Sequence, residues 1–184
     1  MRVQSIVKLI TITACISFSV RARSQDMGAT NLGDFLGKDR ASRTTSYDER
    51  RRLVGIYDNG IAAHRSKQYD RAISAFTTLL QSQLEAKAAA VVYVARAQSY
   101  AGKGELRKAM ADATEAIKLD RDLAIAYNTR GVAFGRMGDF NNAIKDFDAA
   151  LRLDPRLMDA QRNRALAQRY LNQRSGPKPT SNTR

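Results

Sequence analysis

Apolar and small residues recur at helical spacing across residues 124–157, and they fall into two blocks with different faces. Tyr127, Gly131 and Phe134 share one side of a predicted helix; Gly138-Asp139 breaks the run, and Ala143, Ile144, Phe147, Ala150 and Leu151 resume it. The second block stops at Asp154-Pro155, because the residue before a proline is pushed out of the helical region and proline has no N–H to donate. The pattern predicts two short helices joined by a tight turn. Neither could bury its apolar stripe alone, so the pair makes sense only as one unit of a stack.

A copy lies immediately upstream. A shift of 34 residues lays 90–123 over 124–157 without a gap, with Ala90 and Ala124 as position 1. Ala97 then answers Gly131, Tyr100 answers Phe134, Gly104 answers Gly138, Ala109 answers Ala143 and Ala116 answers Ala150. A looser copy starts at Leu53, with Gly60 at position 8, Ala63 at 11, Tyr69 at 17, Ala72 at 20, Phe76 at 24 and Leu79 at 27. There Lys67-Gln68 replaces the Gly-Asp turn, Leu84 stands at position 32, and three extra residues precede the next copy. Glu85 to Ala89 favours helix, which predicts a second helix about one turn longer than its counterparts.

This unit resembles the tetratricopeptide repeat, a 34-residue helix-turn-helix with small residues at positions 8, 20 and 27, aromatics at 11 and 24, Gly near 15 and Pro at 32. Gly131, Phe134, Gly138, Ala143, Phe147, Ala150 and Pro155 occupy all of them. The resemblance implies an all-α, right-handed solenoid of antiparallel helix pairs, with repeats at 53–86, 90–123 and 124–157. The register continues through 158–173 and no second helix follows, so this segment is expected to close the stack. Ala165, Leu166 and Leu171 are expected to cover the third repeat, while Arg162, Arg169 and Gln173 face water. Ser46-x-x-Glu49 has the form of a capping box and places a helix start near Tyr47, so the repeat domain spans 47–173. Residues 174–184 are expected to be a disordered tail.

Two charges are absorbed by the same register. Position 7, which holds leucine in this family, is Arg96 in the second repeat and Arg130 in the third; position 23, on the facing helix, is Asp112 and Asp146. The first repeat has Asn59 and Ala75 there. Arginine and aspartate appear and vanish together, which predicts a fork-shaped ion pair inside each repeat. Arg164 holds position 7 of the closing helix, which lacks a position 23, and is predicted to be free for another partner.

The formal charge is +13, and 43% of the 184 residues are hydrophobic. Residues 1–24 read as a secretory signal: basic Arg2 and Lys8, an apolar run from Leu9 to Val20, then Ala22-Arg23-Ser24 before a cut at Gln25. Twelve residues at about 1.5 Å each are too short for a hydrocarbon core of about 30 Å. Two other fates stay open: lipidation at Cys15, because Ile12-Thr13-Ala14-Cys15 has a lipobox-like form, and a retained anchor, because Arg21 and Arg23 flank the cleavage site. With the four basic residues of this leader set aside, 27 basic against 18 acidic residues leave +9, a balance that favours acidic partners. Residues 25–46, rich in Gly, Ser, Thr, Asp and Arg, read as a flexible linker. The chain is expected to be periplasmic or secreted, from a Gram-negative bacterium, with membrane contact only through an uncleaved or lipidated leader.

Catalytic chemistry finds few members. His64 is the sole histidine, without cysteines or an acid cluster at ligand spacing, so metal and triad readings fail and His64 reads as a solvated or capping side chain. Gly102-Lys103-Gly104 is too short for a phosphate loop and coincides with a turn. No enzyme activity, cofactor, metal or small-molecule substrate is expected.

The resemblance points to binding. In tetratricopeptide stacks the first helices line a concave groove, into which positions 2, 5, 9, 12 and 13 point. Carried over, these give Tyr57, Ile61, His64 and Arg65 from the first repeat, Val94 and Gln98 from the second, and Asn128, Val132 and Arg136 from the third. Val91 and Ile125, at position 2, fit packing between repeats equally well. Such a wall suits a peptide or helix with apolar anchors and an acidic flank. The lysine and asparagine clamp with which some members hold chaperone C-termini is replaced by Tyr57, Ile61, Ala95, Ile125 and Thr129. The expected function is therefore a protein-interaction adaptor of the cell envelope. The alternative is a polyanion- or nucleic-acid-binding protein, with Arg162, Arg164, Arg169 and Arg174 as its footprint.

Overall fold

Seven helices follow one another in the computed structural model, which describes residues 47–175, and no strand occurs among those residues. They are α1 (Tyr47–Arg65), α2 (Tyr69–Leu80), α3 (Ala86–Lys103), α4 (Leu106–Leu119), α5 (Ala124–Arg136), α6 (Phe140–Leu153) and α7 (Met158–Ser175). The leader, the linker, Cys15, Ser46 and residues 176–184 lie outside the described part. Each helix packs chiefly on the one before it and the one after it, and α3, α5 and α7 also touch the first helix of the preceding pair. That contact pattern is a solenoid: each pair covers only its neighbours.

The three turns inside the pairs share one geometry. Gly104 and Gly138 end their helices at φ +92° and +83°, and Lys67 takes the same left-handed turn at φ 58°. In each, the next residue donates its N–H back to a helix carbonyl: Gln68 to Ala63, Glu105 to Tyr100 and Asp139 to Phe134, at 2.9–3.0 Å. Glycine makes this conformation without a Cβ clash, so the first repeat forms its turn at a cost the others avoid. Asp139 then caps α6, its carboxylate accepting from the Asn142 backbone N–H at 3.1 Å. Glu49 accepts two hydrogen bonds from the Arg52 guanidinium, and Ser46, its expected capping-box partner, lies outside the described residues.

The core is built from small residues facing large ones. Phe76 lies against Gly60 and Phe147 against Gly131, with Ala72, Ala109, Ala116, Ala143 and Ala150 fully buried around them. Alanine brings helix axes close, so the stripes interlock without voids.

Two expectations are corrected here. The second helix of the first repeat is not the longer one: α2 has 12 residues and α4 and α6 have 14 each. The chain turns after Leu80, with Ser82 donating its backbone N–H to the Leu79 carbonyl, and Ala86–Ala89 join α3, whose 18 residues absorb most of the insertion. The closing helix also turns a different face inward. Ala160 and Ala167 are buried, whereas Ala165 is exposed and Leu166 is 50% exposed. Position 8 faces the second helix of its own pair, and none follows α7 among the described residues; positions 3 and 10, Ala160 and Ala167, stay covered. Arg162, Arg169 and Gln173 are exposed as expected, and the helix extends to Ser175.

Candidate binding groove

The two predicted ion pairs form. Arg96 donates from Nε and Nη2 to the two Asp112 carboxylate oxygens at 2.7 and 2.9 Å, and Arg130 does the same to Asp146 at 2.8 and 2.8 Å. Both aspartates are buried, and the carboxylate holds each guanidinium's pKa above its usual value against the opposing effect of burial. These charges are consumed inside the repeats.

Position 7 has a second contact that the register reading missed. Arg96 also donates to Thr77 Oγ1 at 3.0 Å, and Thr77 stands at position 25 of the preceding repeat. Arg164 does the equivalent, donating from Nε to Asp148 Oδ1, also at position 25 of the repeat before. The expectation that Arg164 is free is therefore overturned. Lacking an acid on its own pair, it reaches back to the previous one.

Burial divides the nine predicted groove residues into two sets. Val94 is fully buried, Asn128 is 2% exposed and Tyr57 is 7% exposed, so these three positions 5 do not present a face to a ligand. Asn128 Oδ1 accepts from the Asn163 amide across the seam to α7 at 3.1 Å. Tyr57 packs on Phe76 with ring centroids 5.8 Å apart, and burial, helped by the Asp58 charge, pushes its hydroxyl pKa up. His64, at position 12, belongs with them. Its Nδ1 lies 2.9 Å from Ser99 Oγ on α3, and its ring stands edge-on to Tyr69. Ser99 Oγ donates to the Ala95 carbonyl, so His64 Nδ1 must carry the proton that Ser99 accepts. Burial lowers the His64 pKa. His64 is thus a seam residue and not a solvated cap.

The other five remain on the open side. Ile61, Gln98 and Val132 all stand at position 9 of successive first helices and are half-buried, while Arg65 and Arg136 at position 13 are exposed. Positions 9 and 13 are one helical turn apart and share a face. Gln98 Nε2 makes a long 3.5 Å contact with Thr129 Oγ1, and Gln98 Oε1 is buried without a hydrogen-bond donor. Arg136 folds back to donate from Nη1 to the Ala101 carbonyl at the end of α3, where a cation is favoured by the helix dipole. Asp58 and Arg65 attract each other along α1. The closing helix continues the same row with Leu166 at position 9, a wall that the groove assignment omitted.

No group of three potential metal ligands occurs among the described residues, and no described helix is long and apolar enough to cross a membrane.

Comparison with protein families matches residues 90–123 and 124–157 to the tetratricopeptide repeat. The fold is a tetratricopeptide-repeat solenoid. The chain is similar to the tetratricopeptide-repeat domain of Arabidopsis OM64, with 25% identity and a TM-score of 0.58 over 65% of this chain and 96% of that one. It is also similar to the second such domain of human RPAP3, solved in complex with the HSP70 peptide SGPTIEEVD, with 27% identity and a TM-score of 0.55 over 64% of this chain and 96% of that one. The Sgt2 domain from Aspergillus fumigatus shares the fold over 80% of this chain and 94% of its own, with 21% identity and a TM-score of 0.65. Comparison with curated proteins finds no match.

Proposed function

We propose that this protein is a non-enzymatic adaptor of the cell envelope that holds an extended or helical segment of another protein along the open side of its tetratricopeptide-repeat stack. The observation that carries the reading is the row formed by Ile61, Gln98 and Val132. Three half-buried side chains repeat at one position on successive first helices. Apolar anchors of the bound segment seat on Ile61 and Val132. Arg65 and Arg136 at the rim favour an acidic flank on the ligand. The RPAP3 domain's HSP70 peptide is itself acidic at its end.

Binding to an array of apolar-anchored peptides with acidic or basic flanks tests this. The acidic set is expected to bind, and Ile61→Asp or Arg136→Glu to weaken it about tenfold, or 1.4 kcal/mol. Equal capture of acidic and basic sets, or unchanged capture by both variants, sinks the reading. Export rests on the leader in the sequence, and mass spectrometry of the mature N-terminus tests it: Gln25 marks a cleaved signal and a lipid on Cys15 an anchored form. An unprocessed Met1 removes the envelope setting and leaves the groove reading intact.

A further inference from the structure

Contacts at two interior seams of the stack fit one register. Ala124 at position 1 of α5 and Ala160 at position 3 of α7 lie in one buried cluster. Position 5 meets position 6, as Asn128 does with Asn163, and position 12 meets position 10, as His64 does with Ser99. The two ends of the described stack carry the halves of one more such seam.

On α7 the leading positions 1, 5 and 12 are Met158, Arg162 and Arg169. Met158 is 56% exposed, and both arginines are exposed with no hydrogen-bond or ion-pair partner among the described residues. On α1 the receiving positions 3, 6 and 10 are Gly55, Asp58 and Ala62. A Cβ on Gly55 would meet nothing within 4 Å, and Asp58 and Ala62 are exposed. In the interior the receiving positions 3 and 10 are Ala126 and Ala133 on α5 and Ala160 and Ala167 on α7, while α3 has Val92 and Ser99 there. The end on α7 thus offers a long apolar side chain and two cations, and the end on α1 offers an uncrowded glycine, an acid and a small residue.

We infer that the protein self-associates head to tail, α7 of one copy seating on α1 of a second copy. Met158 lies over Gly55 of the second copy, Arg162 pairs with its Asp58, and the Arg169 stem lies on its Ala62. The Arg162 and Asp58 pair replaces the Asn128 and Asn163 contact of the interior. Such a contact joins two different surfaces, so it propagates into short chains and does not close as a symmetric dimer. One helix against one helix is a small interface, so association is weak and reversible. A polyanion is disfavoured as occupant, since an apolar Met158 sits in the same row as the arginines and basic helices without interleaved aromatic stackers are usually solvated faces.

Sedimentation equilibrium of the full-length chain over a wide concentration range is the test. The weight-average mass is expected to rise with concentration and fall with added salt. Arg162→Asp and Asp58→Arg should each leave a monomer. The double swap, or an equimolar mixture of the two single variants, should associate again, which separates a lost contact from a lost fold. The inference is overturned if the unmodified chain stays monomeric, if either single variant associates as well as it does, or if the swap restores nothing. A monomer that binds heparin with steep salt dependence reassigns the arginines to a polyanion and overturns it too.

Discussion

The Phe147 ring lies against Gly131 so closely that a Cβ on the glycine would stand 2.7 Å from the ring's Cε1, with the Ala143 carbonyl 3.1 Å away. Gly60 and Phe76 repeat the relationship at 2.7 Å, while the second repeat has Ala97 facing Ala113 at the same two positions. Positions 8 and 24 therefore share one volume. A ring on one side requires glycine on the other.

Gly131→Ala is expected to destabilise the protein although alanine is the better helix former. Overpacking a closed site costs about 1–3 kcal/mol, which outweighs a gain of about 1 kcal/mol from helix propensity. In a Phe147→Ala background the same change should become stabilising, since the pair then copies Ala97 and Ala113. Urea denaturation of the four proteins measures the coupling; equal effects in both backgrounds would refute the shared volume.

Asp146→Ala should cost about 2 kcal/mol, because it leaves the Arg130 guanidinium, with its side chain 23% exposed, without its two charge-assisted hydrogen bonds. Combining it with Arg130→Asn copies the Asn59 and Ala75 arrangement of the first repeat, and the double variant should be more stable than Asp146→Ala alone. Thermal melts decide it: a double variant below the single one means that the two residues do not act as a pair.

Lys67→Gly should raise stability by about 1 kcal/mol. Lys67 holds a left-handed turn at φ 58° that glycine adopts without Cβ strain, as Gly104 and Gly138 do in the other repeats. The reverse change, Gly104→Lys, should lower stability by a similar amount. A neutral Lys67→Gly would show that the turn is not strained.

Stability should fall as the solution is acidified below the ordinary histidine pKa near 6.5. Burial lowers the His64 pKa in the folded state, so the unfolded chain takes up the proton first; the contribution is intact above that value and is lost as pH drops toward the folded pKa. His64→Gln, which can still donate to Ser99, should flatten the part of the pH profile between about 7 and 5. If denaturation midpoints in that window keep the same slope in the variant, His64 is not the titrating group.

Much of this architecture was legible before any coordinates. The period of 34 residues, the glycine turns and the paired Arg96/Asp112 and Arg130/Asp146 follow from residue type and spacing, because a helix-turn-helix repeat must place the same chemistry at the same position each time. The shift of Ala86–Ala89 from the end of one helix to the start of the next was not legible. Alanine and glutamate favour helix in either place, and only the packing of α3 against its neighbours chose between them.

Site assignment divided along a similar line. Sequence register alone determined which residues share a face of each first helix, and it put Ile61, Gln98, Val132, Arg65 and Arg136 on the side that stays open. Only the tertiary structure decided that Tyr57, Val94, Asn128 and His64 are spent between helices, and that Arg164 reaches back to Asp148. Those outcomes depend on how far one helix is covered by the next, a distance between elements that no repeat period within a single helix contains.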